Sequence, residues 1–290
     1  MSEWIVVILL NLLTLILLNP FSKKNFLFIQ FITILLAFTK PVFYPFIYLN
    51  FIFFSFYLIK NKTFSIWIFL PILVLQLYLF HNEQKTGFYH FSSIENYNLI
   101  NYNLYYFKSS KLGKVKADNW HNSIYANKNY VNKSFKEQNI YLKKTAINEI
   151  KNNFISYSFY HFRTAVRGVF DPGRFDIMTF FEKENGKQGF LEILNGNKSF
   201  KSLFNHKMIF ILVLLIPIFL LNVIKYSYFV KYIFNNNHSL FLTYFFILFT
   251  YNVLVTGPVN SSRYMMPFQM IIIGFAIKEY QKKSLHSSNG

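Results

Sequence analysis

The stretch FLFIQFITILLAFTKPVFYPFIYLNFIFFSFYLI, residues 26–59, decides the fold. As one α-helix it would be about 50 Å long, whereas the hydrocarbon core of a bilayer is about 30 Å thick. Lys40-Pro41 divides the stretch, because proline disfavours helix at the residue before it and a lysine side chain favours water. The stretch therefore predicts two membrane helices joined by a short turn at Lys40-Pro41.

The composition of the whole chain supports a membrane protein. Of its 290 residues 53% are hydrophobic and 14% are charged, whereas a soluble domain averages about 25% charged residues. A soluble protein of this size would expose wide apolar patches if it carried 38 Phe and 21 Tyr residues. So many aromatic residues also exclude a disordered chain. We therefore predict that part of the protein surface faces lipid.

Five more apolar runs predict further membrane helices, at residues 4–18, 64–80, 208–223, 240–255 and 265–277. The first run is not a signal peptide, because its basic residues, Lys23 and Lys24, follow the apolar segment instead of preceding it. Together with the two helices of residues 26–59, these runs predict about seven transmembrane helices.

A polar section, residues 81–207, separates the fourth predicted helix from the fifth. It is rich in Asn, Lys, Ser and Tyr, and only Glu3 and Glu279 among the acidic residues lie outside it. Helical spacing at residues 97–110 and 139–150 and turn signals at 170–173 and 195–197 predict a mostly helical domain. The predicted fold is an all-α polytopic membrane protein, divided into residues 1–80, an extracytoplasmic domain at 81–207, and residues 208–290.

Loop charge predicts the orientation. The chain has a formal charge of +18, and short loops rich in Lys and Arg tend to stay in the cytoplasm. Residues 22–24, 60–62, 225–237 and the basic tail after 277 are then cytoplasmic. The N-terminus, the Lys40 turn, the 81–207 section and the 256–264 loop lie outside. Heavy use of Asn, Lys, Ile and Phe suggests an AT-rich genome, so we predict a bacterial inner-membrane protein.

Three residues at predicted helix ends are candidates for binding a lipid phosphate: Lys40, Arg263 and Tyr264. An arginine at the lipid–water boundary stays charged and donates a planar fork of hydrogen bonds to a phosphate. The alternative interpretation is a snorkelling side chain that only anchors the helix. In the 81–207 section Arg167, Asp171 and Arg174 are separate candidates, as acidic or basic donor residues of the extracytoplasmic domain.

Other functional patterns are missing from the sequence. No glycine-rich phosphate loop, zinc-binding helix pair or nucleophile elbow occurs, and there is no Cys. The seven His residues have no metal-like spacing. We predict no cofactor and leave a divalent metal open. Aromatic residues at 97–107 beside Lys108 and Lys111 would suit single-stranded nucleic acid. We predict no nucleic-acid partner, because a translocated domain seldom meets nucleic acid and helix packing explains these aromatic residues better.

The end of the chain resembles a motif of polytopic membrane glycosyltransferases. Residues 255–268 read VTGPVNSSRYMMPF, and their Arg-Tyr pair followed by a proline is similar to the C-type glycosyltransferases related to dolichyl-phosphate-mannose protein mannosyltransferases. The 39–42 turn and residues 141–173 resemble other parts of the same proteins. The resemblance implies sugar transfer from a polyprenyl-phosphate-linked donor at the outer face of the membrane, in assembly of cell-envelope glycans or glycoproteins.

The family also implies a carboxylate that acts as general base on the acceptor, just after the first helix. This chain has no acidic residue there, and Glu3, which precedes the first helix, matches poorly. Asp171 and Asp176 are the alternatives. Because the chain has fewer helices than such enzymes, it resembles their C-terminal half. We therefore expect a truncated or inactive copy, or a second membrane subunit that carries the catalytic half.

Two other functions remain open from the sequence. The protein could be a non-catalytic envelope protein that displays its extracytoplasmic section as an interaction domain. A small transporter is disfavoured, because the predicted spans contain no Asp or Glu to couple ions or protons.

Overall fold

The structure, a computed structural model of the whole chain, describes residues 2–19, 21–173, 206–236, 240–259 and 262–288. The side chains of 206–212, 259, 262–263 and 283–288 lie outside the description. The described residues contain helices and no strand, so the all-α class is confirmed for this part of the chain. The helices are α1 Ser2–Leu18, α2 Lys23–Thr39, α3 Phe46–Lys60, α4 Leu70–Thr86, α5 Glu95–Asn98, α6 Tyr105–Leu112, α7 Lys114–Tyr125, α8 Phe135–Asn152, α9 Phe154–Phe170, α10 His206–Asn235, α11 Leu240–Thr256 and α12 Ser262–Ser288.

Three helical segments among the described residues are long and apolar enough to cross a membrane. They are Pro41–Lys60, Ile66–Thr86 and Val213–Asn235, and α1 and α11 are shorter apolar helices. Each of α1, α2 and α11 has 17 residues, a length of about 26 Å, which is less than the hydrocarbon core. The number of seven spans therefore stays a prediction.

The chain breaks at Lys40-Pro41, the predicted position. α2 ends at Thr39, and Lys40 has an extended backbone with φ −142° and ψ 110°. Pro41 begins a 3₁₀ turn, Pro41–Phe43, in which Phe43 N donates to Lys40 O at 2.9 Å. Proline fits this first position because it has no N–H to satisfy.

The apolar helices share one hydrophobic core, which we call the bundle core. α1, α2, α3, α11 and α12 contribute to it together with the C-terminal halves of α9 and α10. Its large buried side chains are Leu10, Phe26, Phe46, Phe54, Phe229, Tyr244 and Phe268. Apolar side chains also face outward, as expected where the solvent is lipid; they include Trp4, Ile8, Leu15, Ile216, Leu220 and Leu221.

α10 and α12 run parallel to each other. Gln269 Nε2 donates to Tyr226 OH at 3.2 Å. Nearer the C-terminal end of both helices, Asn235 Nδ2 donates to Glu279 Oε1 at 2.6 Å. The contacts advance together along the two helices, which only a parallel pair allows. α11, which connects them in the sequence, runs antiparallel to α12, because Asn252 near its end contacts Tyr264 and Phe241 at its start contacts Phe275.

Helices α5 to α9 form a second hydrophobic core at one end of the bundle. Its buried members are Ile100, Leu104, Phe107, Ile124, Leu142, Ala146 and Tyr157. This section lies at the end of the bundle that carries the Lys40 turn. Tyr44 OH donates to Glu95 Oε1 at 2.8 Å, and Phe91 packs against Tyr44 and Phe38. We call this end of the bundle the Lys40 end.

α9 belongs to both cores. Tyr157 is buried in the second core, whereas Ala165 is buried in the bundle core and Phe170 lies 5.6 Å from the ring of Tyr226 on α10. The helix ends where the sequence predicts a turn, since Gly173 has φ 80° and its N–H donates to Asp171 Oδ1. The predicted turn at 195–197 lies outside the described residues.

Candidate functional site

Lys40 follows α2 directly and lies where this helix meets α1 and the distant α12. Its ammonium Nζ is 3.7 Å from Glu3 Oε1 on α1 and 4.5 Å from the centre of the Tyr264 ring on α12. The Lys40 and Glu3 side chains are only 14% and 20% exposed. A cation over an aromatic face is stabilised more strongly when water is partly excluded.

The backbone around this cluster is fixed by hydrogen bonds from α11. Tyr251 OH donates to Val42 O at 2.6 Å, which ties the turn after Lys40 to the bundle. Asn252 Nδ2 donates to Tyr264 O at 3.2 Å, which positions the first turn of α12. Two successive residues of one helix therefore hold the two segments that carry Lys40 and Tyr264.

The predicted site residues fall into three groups. The structure brings Lys40 and Tyr264 together. Arg263 lies in the first turn of α12, but its side chain is outside the description, and Arg174 lies outside it altogether. Arg167 is exposed in the last turn of α9, and Asp171 follows that helix and accepts the N–H of Gly173 at 3.3 Å.

Glu3 is the residue that sequence reasoning undervalued. It precedes the first apolar run and has no motif around it, so only the packing of α1 against α2 and α12 reveals its place. A signal was nevertheless present: it is the only acidic residue before residue 83. An isolated charge beside a predicted membrane helix is unusual, because unpaired charges there are costly.

His161 on α9 closes the C-terminal end of α11. Its Nε2–H donates to Leu254 O at 2.6 Å, one of the carbonyls that a helix end leaves without an intrahelical partner. The imidazole lies directly against Gly257, where a Cβ atom would collide with the ring. Thr256 Oγ1 also donates to Asn252 O at 2.7 Å. α9 is thereby anchored beside the turn that leads to Tyr264.

A polar network is buried inside the bundle. Asn50 Nδ2 donates to Gln30 Oε1 and Tyr244 OH donates to Asn50 Oδ1, each at 2.7 Å. These three side chains are at most 1% exposed, and they come from α3, α2 and α11. Hydrogen bonds between helices stabilise a membrane bundle modestly and fix its register.

A second polar group lies within the candidate span Val213–Asn235. Lys225 Nζ donates to Asn222 Oδ1 at 2.7 Å and also to Gln269 Oε1, and it lies 4.7 Å from the centre of the Tyr226 ring. Hydrogen bonds to these two amide oxygens offset part of the free-energy cost of placing an ammonium group in this span. Residues 225–235 therefore continue α10 and do not form the loop that the sequence predicted, because these hydrogen bonds let Lys225 lie between two packed helices.

Two partly buried tyrosines of α6 and α9 stay protonated at neutral pH. Burial raises the pKa of Tyr105 to about 12, and its hydroxyl donates to Asp118 Oδ1 at 2.6 Å. Burial likewise raises the pKa of Tyr160 to about 12, while the nearby Arg163 and Arg167 oppose that shift. A general base in this part of the chain would have to be a carboxylate or a histidine.

Two open cavities lie away from the Lys40 cluster. One, of about 570 Å³, follows α4 between Phe69 and Phe80. The other, of about 380 Å³, lies between Phe88 and α8. Among the described residues no three His, Asp or Glu side chains come close enough to hold a metal ion.

Comparison with other proteins assigns no function to this site. No known protein family, curated protein or solved structure matches this chain. The resemblance to C-type glycosyltransferases therefore stays a prediction from residues 255–268, the Lys40 turn and residues 141–173. What the cluster can do follows from its chemistry: an ammonium group, a carboxylate and a phenol ring meet at one end of an apolar bundle.

Proposed function

We propose that this protein is an integral membrane protein that binds a polyprenyl-phosphate-linked sugar at the Lys40 end and takes part in glycosyl transfer during cell-envelope glycan or glycoprotein assembly. The observation that supports the proposal most directly is the meeting of Lys40, Glu3 and Tyr264 from three helices. These helices are apolar and expose apolar side chains, so a lipid-linked substrate reaches the cluster from the bilayer.

The proposed phosphate contact is electrostatic. Lys40 and Glu3 together are neutral, so one further positive charge is needed to favour a phosphate. Arg263 and the first-turn amides of α12 supply it in this proposal, because a helix N-terminus carries partial positive charge. The phosphate shares the Lys40 ammonium with Glu3, and Tyr264 packs beside the isoprenoid chain or the sugar.

The proposed general base is Glu3. A carboxylate that accepts the proton of a hydroxyl acceptor accelerates transfer by about 10²–10⁴-fold. Lys40 Nζ lies 3.7 Å from Glu3 Oε1 and is the counter-charge of this carboxylate in the proposed site. This assignment makes the chain a candidate enzyme on its own. The sequence-based expectation of a second subunit with the catalytic half applies only if Glu3 has no such role.

The proposed topology has about seven transmembrane helices, with the Lys40 end and the α5–α9 section outside a bacterial inner membrane and the C-terminus in the cytoplasm. The N-terminus of α1, the Lys40 turn and the start of α12 share one end of the bundle, as this topology requires. The basic residues Lys60, Lys231 and Lys282 belong to the opposite end.

The test measures binding and turnover separately. Purified protein in nanodiscs is titrated with undecaprenyl phosphate, and Lys40→Gln is compared with Lys60→Gln, a change of the same type at the other end of the bundle. We expect Lys40→Gln to weaken binding about tenfold to a hundredfold, the effect of losing a hydrogen bond to a charged group. Arg263→Ala should weaken it too. Equal affinity of the two lysine variants would refute the proposal.

A non-catalytic envelope protein is the second candidate. The observation that favours it is the second hydrophobic core, which gives α5 to α9 a packed interior apart from the bundle core. Such a domain could be displayed to a partner while the apolar helices serve as its anchor. Retained undecaprenyl phosphate binding without any transfer, in wild type and Glu3→Gln alike, would support this second candidate.

A further inference from the structure

α9 carries a stripe of large apolar side chains that no described residue covers. Ile155, Phe159 and Phe162 are 83%, 69% and 60% exposed, and Val166 is 41% exposed. Their spacing of four, three and four residues places them on one face of the helix. This face differs from an ordinary soluble surface, on which isolated exposed apolar residues are common but contiguous large ones are not.

The opposite face of α9 packs against the rest of the protein. Tyr157 is buried in the second core, Ala165 is buried in the bundle core, and His161 bonds to Leu254 O. These contacts fix the rotation of the helix about its axis. The apolar stripe therefore points away from the protein because of its packing, and not because the helix is free to turn.

The position of α9 relates the stripe to the membrane helices. His161 is level with the end of α11, and Phe170, nine residues later, is beside Tyr226 within the candidate span Val213–Asn235. The helix thus passes from the Lys40 end into the level of the apolar bundle. Next to it Leu254 and Val255 expose their side chains as well, so the stripe continues the apolar outer surface of α11.

Two exposed arginines border the stripe. Arg163 and Arg167 lie one residue after Phe162 and Val166, on the side of the helix that leads toward Tyr160. At the edge of a bilayer such side chains bury their stems and hold the guanidinium at the level of the phosphates. A helix with an apolar face and basic flanks is typical of a segment that lies in the interface.

We propose that α9 is an interfacial helix whose stripe of Ile155, Phe159, Phe162 and Val166 inserts into the lipid leaflet at the Lys40 end, with Arg163 and Arg167 bound to lipid phosphates. The occupant of this face is the bilayer and not a protein, because the stripe is continuous with the outer surface of the bundle. The section from 81 to 173 then rests on the membrane. This inference does not depend on which substrate binds at Lys40.

The test uses the full chain, which has no Cys, with one nitroxide-labelled cysteine at a time in nanodiscs of phosphatidylcholine and phosphatidylglycerol. Phe159→Cys probes the stripe and Lys144→Cys, at an exposed position of α8, is the matched water-facing control. Relaxation of each label by oxygen, which concentrates in lipid, is compared with relaxation by a water-soluble nickel chelate.

We expect the label at 159 to be severalfold more accessible to oxygen than to the nickel chelate, and the label at 144 to show the reverse. A label at 159 that behaves like the one at 144 would overturn the inference, because the stripe would then face water. A label shielded from both reagents would also overturn it, because the stripe would then be covered by protein. Ile155→Cys repeats the measurement one turn earlier and excludes an effect of the Phe159 substitution itself.

Discussion

At the scale of single residues, the ion pair between Lys40 and Glu3 combines two charges that are both largely shielded from water. Removing two charges from water is costly, and their mutual attraction seldom exceeds that cost by much. A pair in such a place is thus poor support for the fold. We infer that its position at the meeting point of α1, α2 and α12 serves the proposed reaction more than the stability of the fold.

Replacement of Glu3 by Gln separates binding from catalysis. We expect Glu3→Gln to lower the rate of transfer from a polyprenyl-phosphate sugar by about 10²–10⁴-fold, because the amide cannot accept the acceptor's proton. Affinity for undecaprenyl phosphate should stay equal or rise, since Lys40 loses its competing anion. Glu83→Gln, at an exposed position near the end of α4, is the control. Wild-type transfer by the Glu3 variant would exclude this residue as the base.

The Gln30–Asn50–Tyr244 network gives a prediction about stability. Tyr244→Phe removes the donor to Asn50 Oδ1 and leaves a buried oxygen without a partner, which costs about 1–3 kcal/mol. We expect a lower thermal midpoint in nanodiscs. Tyr280→Phe alters a tyrosine that is 57% exposed and should leave the midpoint unchanged. Equal midpoints for both variants would mean that the network contributes nothing to stability.

At the scale of elements, α8 begins with a complete capping box. Ser134 Oγ accepts from Glu137 N, and the Glu137 carboxylate accepts from Ser134 N at 2.9 Å. The two bonds satisfy donors that a helix N-terminus leaves open. The bonds from Ser134 also lower the pKa of Glu137 below its usual 4.5. The Ser-x-x-Glu spacing of residues 134–137 is the sequence signature of this cap.

Loss of this cap should depend on pH. Ser134→Ala is expected to cost about 1 kcal/mol of stability at pH 7. A carboxylate with a lowered pKa stabilises the folded state above its unfolded pKa and loses that effect as pH falls. The difference between wild type and Ser134→Ala should hence shrink between pH 6 and pH 3, measured by thermal unfolding. Ser110→Ala, an exposed serine without this cap, should show no pH-dependent difference.

At the scale of the whole molecule, the two ends of the bundle differ in what they carry. The Lys40 end holds α5 to α9 and the Glu3 pair, whereas the other end holds the α3–α4 turn and the basic residues after Ile277. Because α10 and α12 are parallel, their C-terminal ends lie toward the same end of the bundle. Loop charge then predicts which end faces the cytoplasm.

Cysteine labelling tests that orientation. Ser93→Cys places a thiol at the Lys40 end and Lys62→Cys places one at the α3–α4 turn, and both positions are exposed. With a membrane-impermeant maleimide we expect intact cells to label residue 93, and residue 62 to label only after lysis. The reverse pattern would place the Lys40 end in the cytosol and remove the outer-face donor site. Labelling of both in intact cells would contradict a bundle that crosses the membrane.

Local features of this fold were predictable, and long-range ones were not. The apolar runs predicted helices, the Lys40-Pro41 break and the end of α9 at the Asp171 turn, because each depends on a few adjacent residues. The sequence did not show that Glu3 would join Lys40, since that contact depends on how α1 packs. It also did not show that α9 enters the bundle core, because residues 154–170 lie in the polar section and form no apolar run long enough to cross a membrane.

The contact between His161 and Gly257 links two positions almost a hundred residues apart. Nothing larger than hydrogen fits at 257 while the imidazole caps α11. In related sequences the two sites should consequently covary: a bulkier residue at 257 is expected only where 161 has become small. If such exchanges are found, the pairing would show that natural selection maintains the docking of α9 on the bundle.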